Sequence, residues 1–185
     1  DFQTQYGRSA NTVREILFRL STVGLVQFED QRGFRVPPSQ GKHQSDLTIF
    51  RIMLEQEGAT QSMKNGGLEW EARLTAAHHK LSHIEDRVAK TGDIRPVLVP
   101  WCNAEWEFHE TLVSASDSVV LRGTFQSIYD QFRQQLITKE NDYGYFPNNI
   151  REHERIVDCA LAGDPDDLRR AIYDHLARNL LPDQL

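Results

Sequence analysis

The spacing of apolar and polar positions divides the chain near residue 40. Before that point, Ser9 is a good helix N-cap and apolar residues recur at helical spacing over residues 13–20, which predicts a helix ending near Gly24. Two short β-type runs, LVQF and GFRV, flank EDQR, and Gly33 supplies conformational freedom. This first part is therefore predicted to be one helix followed by a small β-hairpin.

After PPSQGKHQS (37–45), which its prolines and polar residues mark as a linker, the apolar spacing is helical almost throughout. Short polar or glycine-containing segments separate the runs, and strand-like alternation is absent. The pattern predicts an all-α, antiparallel bundle of about six helices over residues 46–185. The predicted helices cover residues 46–63, 68–90, 97–114, 118–137, 150–163 and 166–181.

Composition is that of an ordinary water-soluble domain, with 39% hydrophobic and 26% charged residues. The longest apolar runs, such as IVDCALA and VLVPW, are too short to cross a membrane, and the first residues lack the features of a signal peptide. Cys102 and Cys159 make no disulfide framework and are expected to be idle thiols. We therefore expect a cytoplasmic protein that does not bind membranes.

Charge is distributed unevenly between the two parts. The net charge is -6, yet residues 1–36 hold five arginines and four acidic residues, for a net +1. Residues 37–185 hold 16 basic and 23 acidic residues, for a net -7. The asymmetry indicates two units with different partners, although +1 is a weak signal for nucleic-acid binding.

A helix that begins after Ser9 and leads into a hairpin is typical of the end of a winged helix-turn-helix, whose recognition helix presents its N-terminal residues to the major groove. Arginine pairs with guanine, asparagine with adenine, and hydroxyls with phosphate. The alternative is a solvated helix on which Glu15 simply pairs with Arg19. The candidate DNA contacts are Arg8, Ser9, Asn11, Thr12, Arg14, Arg32 and Arg35.

Residues 6–36, YGRSANTVREILFRLSTVGLVQFEDQRGFRV, resemble the second half of the winged helix-turn-helix of the GntR family. The shared pattern is Tyr-Gly-x-Ser, Val-Arg-Glu-x-Leu, Leu-x-x-x-Gly-Leu-Val and Gly-Phe-x-Val. The resemblance implies a homodimer that binds a pseudo-palindromic operator, most often as a repressor. It also implies that the first helix and most of the second lie before residue 1. About 36 residues cannot bury a stable core unaided, which leaves DNA binding by this chain itself open.

Four residues in the predicted bundle are candidate metal ligands. Glu105 and His109, in EWEFH, stand four residues apart on one helix face, and His153 and His175 lie mid-helix among apolar neighbours. One carboxylate and three imidazoles that converge inside a bundle suit a divalent transition metal: zinc, nickel, copper, iron or manganese. For each histidine taken alone, the alternative is an ordinary hydrogen-bonded core or surface residue.

Residues 45–182 resemble the FCD ligand-binding domain of the FadR branch of GntR regulators, through DLTIFRIMLEQEGA, EWEFHETLVSAS and EHERIVDCALAGDPDDLRRAIYDHL. The resemblance implies that Glu105, His109, His153 and His175 bind a divalent metal (zinc, nickel or manganese). Glu105 departs from the family's aspartate, which weakens the assignment of the metal. The resemblance also implies a small organic acid as effector, with Arg51 facing it; the alternative for Arg51 is an ion pair with Glu55.

Two further interpretations are open. A three-histidine, one-carboxylate centre could belong to an enzyme that activates water or dioxygen, but Glu107 and Glu152 are expected to point away from the ligands, so that no general base is evident. The bundle could instead bind its ligand without metal. His79 and His83 have metal-ligand spacing, yet their polar neighbours favour a solvated face.

The tryptophans Trp70, Trp101 and Trp106 are expected in the core or in a dimer contact. Trp106 and Phe108, next to the candidate ligands, could also line a pocket.

Overall fold

The computed structural model describes residues 5–38, 41–137 and 145–182. It is mainly α-helical, which confirms the predicted fold class: a small helix-and-hairpin unit precedes a bundle of six helices. In chain order the elements are α1 (Ala10–Thr22), β1 (Gln27–Glu29), β2 (Gly33–Arg35), α2 (Gly41–Asn65), α3 (Gly67–Thr91), a 3-10 turn (Arg95–Val97), α4 (Leu98–Val113), α5 (Val119–Ile137), α6 (Asn149–Ala162), α7 (Pro165–Leu176) and a second 3-10 turn (Ala177–Asn179).

The N-terminal unit follows its local signals. The Ser9 hydroxyl accepts a hydrogen bond from the Thr12 amide at 3.2 Å and so caps α1. The strands β1 and β2 are antiparallel, with the Phe28 and Phe34 rings opposite each other at 5.2 Å, and Gly33 adopts a φ of +84° after the turn. No residue of α1 is buried, because this unit offers its apolar residues little to pack against.

The first bundle helix begins at Gly41, inside the stretch 37–45 that the sequence predicted as a linker. The prolines that prevent helix formation end at Pro38, and residues 41–45 are helical because they gain tertiary contacts. Gln44 donates to the Asn179 side-chain oxygen at 3.2 Å, and the Ser45 hydroxyl accepts from the Leu181 amide at 2.9 Å. Both Gln44 and Ser45 are buried.

Helix α2 is central to the bundle, since it packs against α4, α5 and α7; the other extensive pairs are α3 with α4, α6 with α7, and α3 with α6. The turn between α6 and α7 follows from sequence: Gly163 ends α6 with a φ of +74°, and the Asp164 carboxylate caps α7 by accepting from the amides of Asp166 and Asp167. The largest core side chains are Trp70, Trp101, Phe108, Leu74, Leu81, Leu112, Ile156, Leu168 and Ile172. Among the described residues, no helix is long and apolar enough to cross a membrane.

Candidate metal centre

The four predicted ligands lie together in the middle of the bundle, and all four are buried. Glu105 and His109 come from successive turns of α4, His153 from α6 and His175 from the last turn of α7. The packing of α6 against α7 places the His153 and His175 rings 4.6 Å apart, and the His109 ring lies 5.5 Å and 5.4 Å from them.

One donor atom from each of the four residues lies within 4.8 Å of the other three. The Glu105 carboxylate is the common neighbour, at 3.6 Å from His109 Nε2 and 3.8 Å from His153 Nε2. A metal–nitrogen bond is about 2.1 Å, so donors on opposite sides of one ion stand about 4.2 Å apart. Small side-chain movements would therefore bring all four onto a single ion.

Three donor atoms at the centre lack a hydrogen bond within the described part of the chain. Glu105 Oε2, His109 Nε2 and His153 Nε2 are buried, and none makes a hydrogen bond with another described residue. A buried polar atom without a partner costs about 1–3 kcal/mol. Several such atoms close together suit an ion that can accept their lone pairs.

The outer nitrogen of each histidine faces a carboxylate. His109 Nδ1 is hydrogen-bonded to Glu55 of α2, and His175 Nδ1 lies 2.9 Å from Glu152 Oε2. His153 Nδ1 is 3.5 Å from Glu85 Oε2 in α3, and the other oxygen of Glu85 accepts from the Trp101 indole at 3.3 Å. A carboxylate hydrogen-bonded to Nδ1, as at His109 and His175, fixes the tautomer that offers Nε2 to the centre and raises the basicity of the ring. His153 Nδ1 and Glu85 Oε2 are close neighbours without a hydrogen bond between them.

These three glutamates were missed by sequence reasoning. The prediction that Glu152 points away from the ligands is wrong. Glu152 in the first turn of α6 lies beside His175 in the last turn of α7. Glu55 and Glu85 did carry a readable signal. Glu85 stands between Leu81 and Val88 on the apolar stripe of its helix, and a carboxylate in such a position needs a buried partner. For Glu55 the signal was its spacing of four residues from Arg51 on one helix face.

Electrostatics favour anionic carboxylates and a neutral His175. Burial raises the pKa of Glu105, but the neighbouring His109 and the charge of His153 outweigh it and hold that pKa well below its usual value. Burial lowers the pKa of His175 well below its usual value, and the neighbouring His153 and His109 lower it further. The pKa of Glu55 is lowered because His109 and Arg51 outweigh its burial.

A small cavity is lined by two of the candidate ligands, Glu105 and His175, and by three arginines. It provides about 20 Å³, close to the space of one water molecule. Arg51, predicted to face an effector, is one lining residue and is 1% exposed. Its Nε donates to Glu55 Oε2 at 3.0 Å, as the alternative interpretation proposed, while its buried Nη2 has no partner among the described residues. The other lining residues include Glu105, Phe132, Arg133, Phe146, Asn149, His175, Arg178 and Asn179.

Aromatic rings enclose the site. Phe108 is buried and packs against the rings of His109 and His153 at 5.0 Å and 4.9 Å. The Arg51 guanidinium lies over the rings of Tyr129 and Phe132, 4.7 Å from each centroid. Trp70 and Trp101 are core residues, and the Trp106 ring is tilted against Tyr129 at 4.8 Å and stacks on Phe125 at 6.0 Å. His79 and His83 are exposed, as expected for a solvated face.

The candidate DNA contacts are all exposed. Arg8 and Arg14 make no ion pair or hydrogen bond with other described residues, so their guanidiniums are available at the start of α1. Arg35 and Arg32 both approach Glu29, at 3.1 Å and 3.7 Å. The ion pair expected for an ordinary solvated helix also forms, between Arg19 and Glu15 at 2.7 Å, and both side chains are exposed.

Comparison with known proteins places this arrangement in a family. Residues 46–178 match the FCD domain. The chain is 33% identical over 180 residues to the HTH-type transcriptional regulator BphR of Paraburkholderia xenovorans (strain LB400), which covers 97% of this chain and 73% of BphR. The chain belongs to the GntR family of transcriptional regulators. As a GntR-family protein with an FCD domain, it is a DNA-binding regulator of transcription.

Other relatives agree with the assignment. The GntR-family chain is 27% identical over 127 residues to the HTH-type transcriptional repressor GlaR of Escherichia coli (strain K12), a match that covers 69% of this chain and 56% of GlaR. Its fold is similar to that of McbR/YncC from E. coli, with a TM-score of 0.77, 18% identity and coverage of 96% and 81% of the two chains. The structure of a putative transcriptional regulator GntR from Rhodococcus sp. RHA1 is also similar in fold, with a TM-score of 0.73 and 20% identity. The match covers 97% of this chain and 84% of the Rhodococcus chain.

Proposed function

We propose that this GntR-family regulator, of the FadR branch, senses a small organic acid through a divalent transition metal held by Glu105, His109, His153 and His175. The observation that carries the proposal is the set of unpartnered donor atoms at one buried point, each imidazole backed by a carboxylate. Zinc, nickel and manganese are the candidate metals. Four protein ligands complete a tetrahedral zinc site and leave open positions on an octahedral ion.

The charges around the site favour an anionic effector. With the imidazoles neutral, as metal binding requires, the four carboxylates and three guanidiniums around the candidate centre carry one excess negative charge, which a divalent cation changes into one excess positive charge. A monocarboxylate restores neutrality, and the unpartnered Nη2 of Arg51 offers it a charge-assisted hydrogen bond. The residues counted are Glu55, Glu85, Glu105 and Glu152 against Arg51, Arg133 and Arg178.

Each part of the chain has a role in this proposal. The exposed residues at the start of α1, with Arg32 and Arg35 of the hairpin, contact operator DNA, and a homodimer presents two such units to a pseudo-palindromic site. The bundle holds metal and effector, and the effector changes DNA affinity, most often to relieve repression. Binding of ligand must then differ between two arrangements of the protein.

Metal analysis tests the central claim. Protein purified without added metal and then exposed to zinc, nickel or manganese is expected to bind one ion per chain, measured by plasma mass spectrometry and calorimetry. His109→Ala and His153→Ala are expected to weaken binding at least 100-fold, while His83→Ala, an exposed histidine on α3, serves as the matched control. Equal metal binding by all the variants would refute the assignment of the ligands. Sedimentation velocity tests the oligomeric state, for which a homodimer is expected.

The two other interpretations make different predictions. An enzyme would consume the organic acid, yet the relatives are transcription regulators and the three outer glutamates already face ring nitrogens. Turnover of the acid by metal-loaded protein would favour the enzyme. A metal-free regulator would bind the acid equally well after treatment with a chelator. We expect chelation to abolish binding of the acid.

A further inference from the structure

The turn that follows α7 connects the cavity to the N-terminal end of α2. The C-terminal turn, defined as residues 177–181, follows directly on α7 and His175. Its Arg178 and Asn179 line the cavity. On its other side, Asn179 and Leu181 bond the first turns of α2 at Gln44 and Ser45. Pro37 and Pro38, which follow the hairpin, precede α2 by a few residues.

Arg178 is held by groups that a ligand anion would compete with. Its guanidinium donates to Glu152, donates to Asn149 Oδ1 at 3.3 Å and lies 4.7 Å over the Phe146 ring. Glu152 Oε2 is also the partner of His175 Nδ1. A carboxylate in the cavity that takes one donor of Arg178 therefore alters the contacts on the ring of a candidate metal ligand and on the turn at the same time.

The receiving side is tightly packed. Gln44 and Ser45 are buried, and the Oε1 atom of Gln44 has no hydrogen-bond partner among the described residues. Their helix continues for two turns to Arg51, which lines the same cavity, and one turn further to Glu55, which bonds His109. Asn179 and Leu181 of the turn are half-buried, whereas their partners Gln44 and Ser45 are buried, so a movement of the turn acts on side chains of α2 that have little free space.

We propose that the C-terminal turn transmits occupancy of the cavity to the N-terminal end of α2, and thereby to the junction with the DNA-binding unit. The proposal rests on the proposed function, because it takes a carboxylate beside a bound metal as the input. Arg178 exchanges Glu152 for the ligand carboxylate, and Asn179 and Leu181 carry the displacement to Gln44 and Ser45. The coupling thus has two distinct sets of contacts, one for each state.

Hydrogen exchange measured by mass spectrometry tests the coupling on the whole chain. The probes are zinc alone, and zinc with whichever of acetate, lactate, succinate and benzoate binds most tightly by calorimetry. At saturation we expect amide exchange in residues 41–50 to change at least about fivefold. Gln44→Ala combined with Ser45→Ala is expected to reduce that change below twofold while zinc and carboxylate affinities stay within threefold of the original, because neither residue lines the cavity.

Gln56→Ala is the matched control. Gln56 is a glutamine of the same helix that donates to the Arg169 carbonyl of α7 at 2.7 Å, away from the turn, so the full response is expected. A second route is testable in the same way, since α5 contributes Arg133 to the cavity and its Gln134 donates to the Pro37 carbonyl at 3.2 Å. Loss of the response in Gln134→Ala but not in the double variant would overturn the proposal.

The outcomes separate the two claims. If none of zinc, nickel and manganese binds, or if every carboxylate fails to bind, the proposed function is wrong and the coupling is wrong with it. If both bind and residues 41–50 exchange at an unchanged rate, only the coupling is wrong. If the double variant keeps the full response, the turn is not the route.

Discussion

The buried pair of Arg51 and Glu55 gives the sharpest stability prediction. The pair lies on α2 with both side chains at most 1% exposed, and Glu55 is also the acceptor for His109 Nδ1. Glu55→Ala removes the acceptor of both groups and leaves a buried guanidinium without its counter-charge. Removal of one partner of a buried ion pair costs about 3–5 kcal/mol. For a chain of this size, each kcal/mol lowers the melting temperature by about 2–4 °C, so a drop of about 6–20 °C is expected.

Urea unfolding of metal-free protein, followed by helical circular dichroism, measures this loss. Glu57→Ala is the matched control, because Glu57 lies two residues away on the same helix and bonds an arginine too, Arg169 at 2.9 Å. That pair is about half exposed and is worth roughly 0.2–1 kcal/mol. If Glu55→Ala costs no more than Glu57→Ala, then the buried charges are not the stabilising arrangement that we infer.

Three remaining predictions concern packing and the outer carboxylates. Gly58→Ala is expected to destabilise the bundle by about 1–3 kcal/mol in thermal unfolding, because its new methyl would lie 2.9 Å from Val113. Gly123→Ala, on an open face of α5, is expected to be stabilising by about 0.4–1 kcal/mol, and equal effects of the two changes would contradict the packing argument. Glu152→Ala is expected to weaken zinc binding 10–100-fold in calorimetry, since His175 loses its Nδ1 partner; unchanged affinity would show that this carboxylate does not orient the ring.

Much of the fold was predictable because its boundaries have local causes. The cap at Ser9 and the stop at Gly163 act through residues next to them in sequence, and the helices begin and end close to where those signals lie. The beginning of α2 was not predictable in this way. Residues 41–45 have weak helical preference of their own, and they are helical because Gln44 and Ser45 bond the distant C-terminal turn.

The contacts of the candidate site also differ in whether they could be predicted from the sequence. Glu105 and His109 stand four residues apart on one helix, so their proximity follows from helical geometry alone. The partnership of His109 with Glu55 joins α4 to α2, and that of His153 with Glu85 joins α6 to α3. Which carboxylate meets which imidazole depends on how the helices pack, and sequence spacing within one helix does not contain that information.

The buried charges also explain how one small site can influence the whole bundle. Every helix of the bundle contributes a side chain to the candidate metal centre or its cavity: Arg51 and Glu55 from α2, Glu85 from α3, Glu105 and His109 from α4, Arg133 from α5, Glu152 and His153 from α6, and His175 from α7. Charges in a region of low dielectric are weakly screened, so these groups interact strongly with one another. A cation and a carboxylate bound among them would alter those interactions for all six helices at once, so binding would change the relative stability of helix arrangements rather than one contact. Binding at the site can therefore change the structure at distant parts of the bundle. The N-terminal end of α2 is the part that leads to the DNA-binding unit.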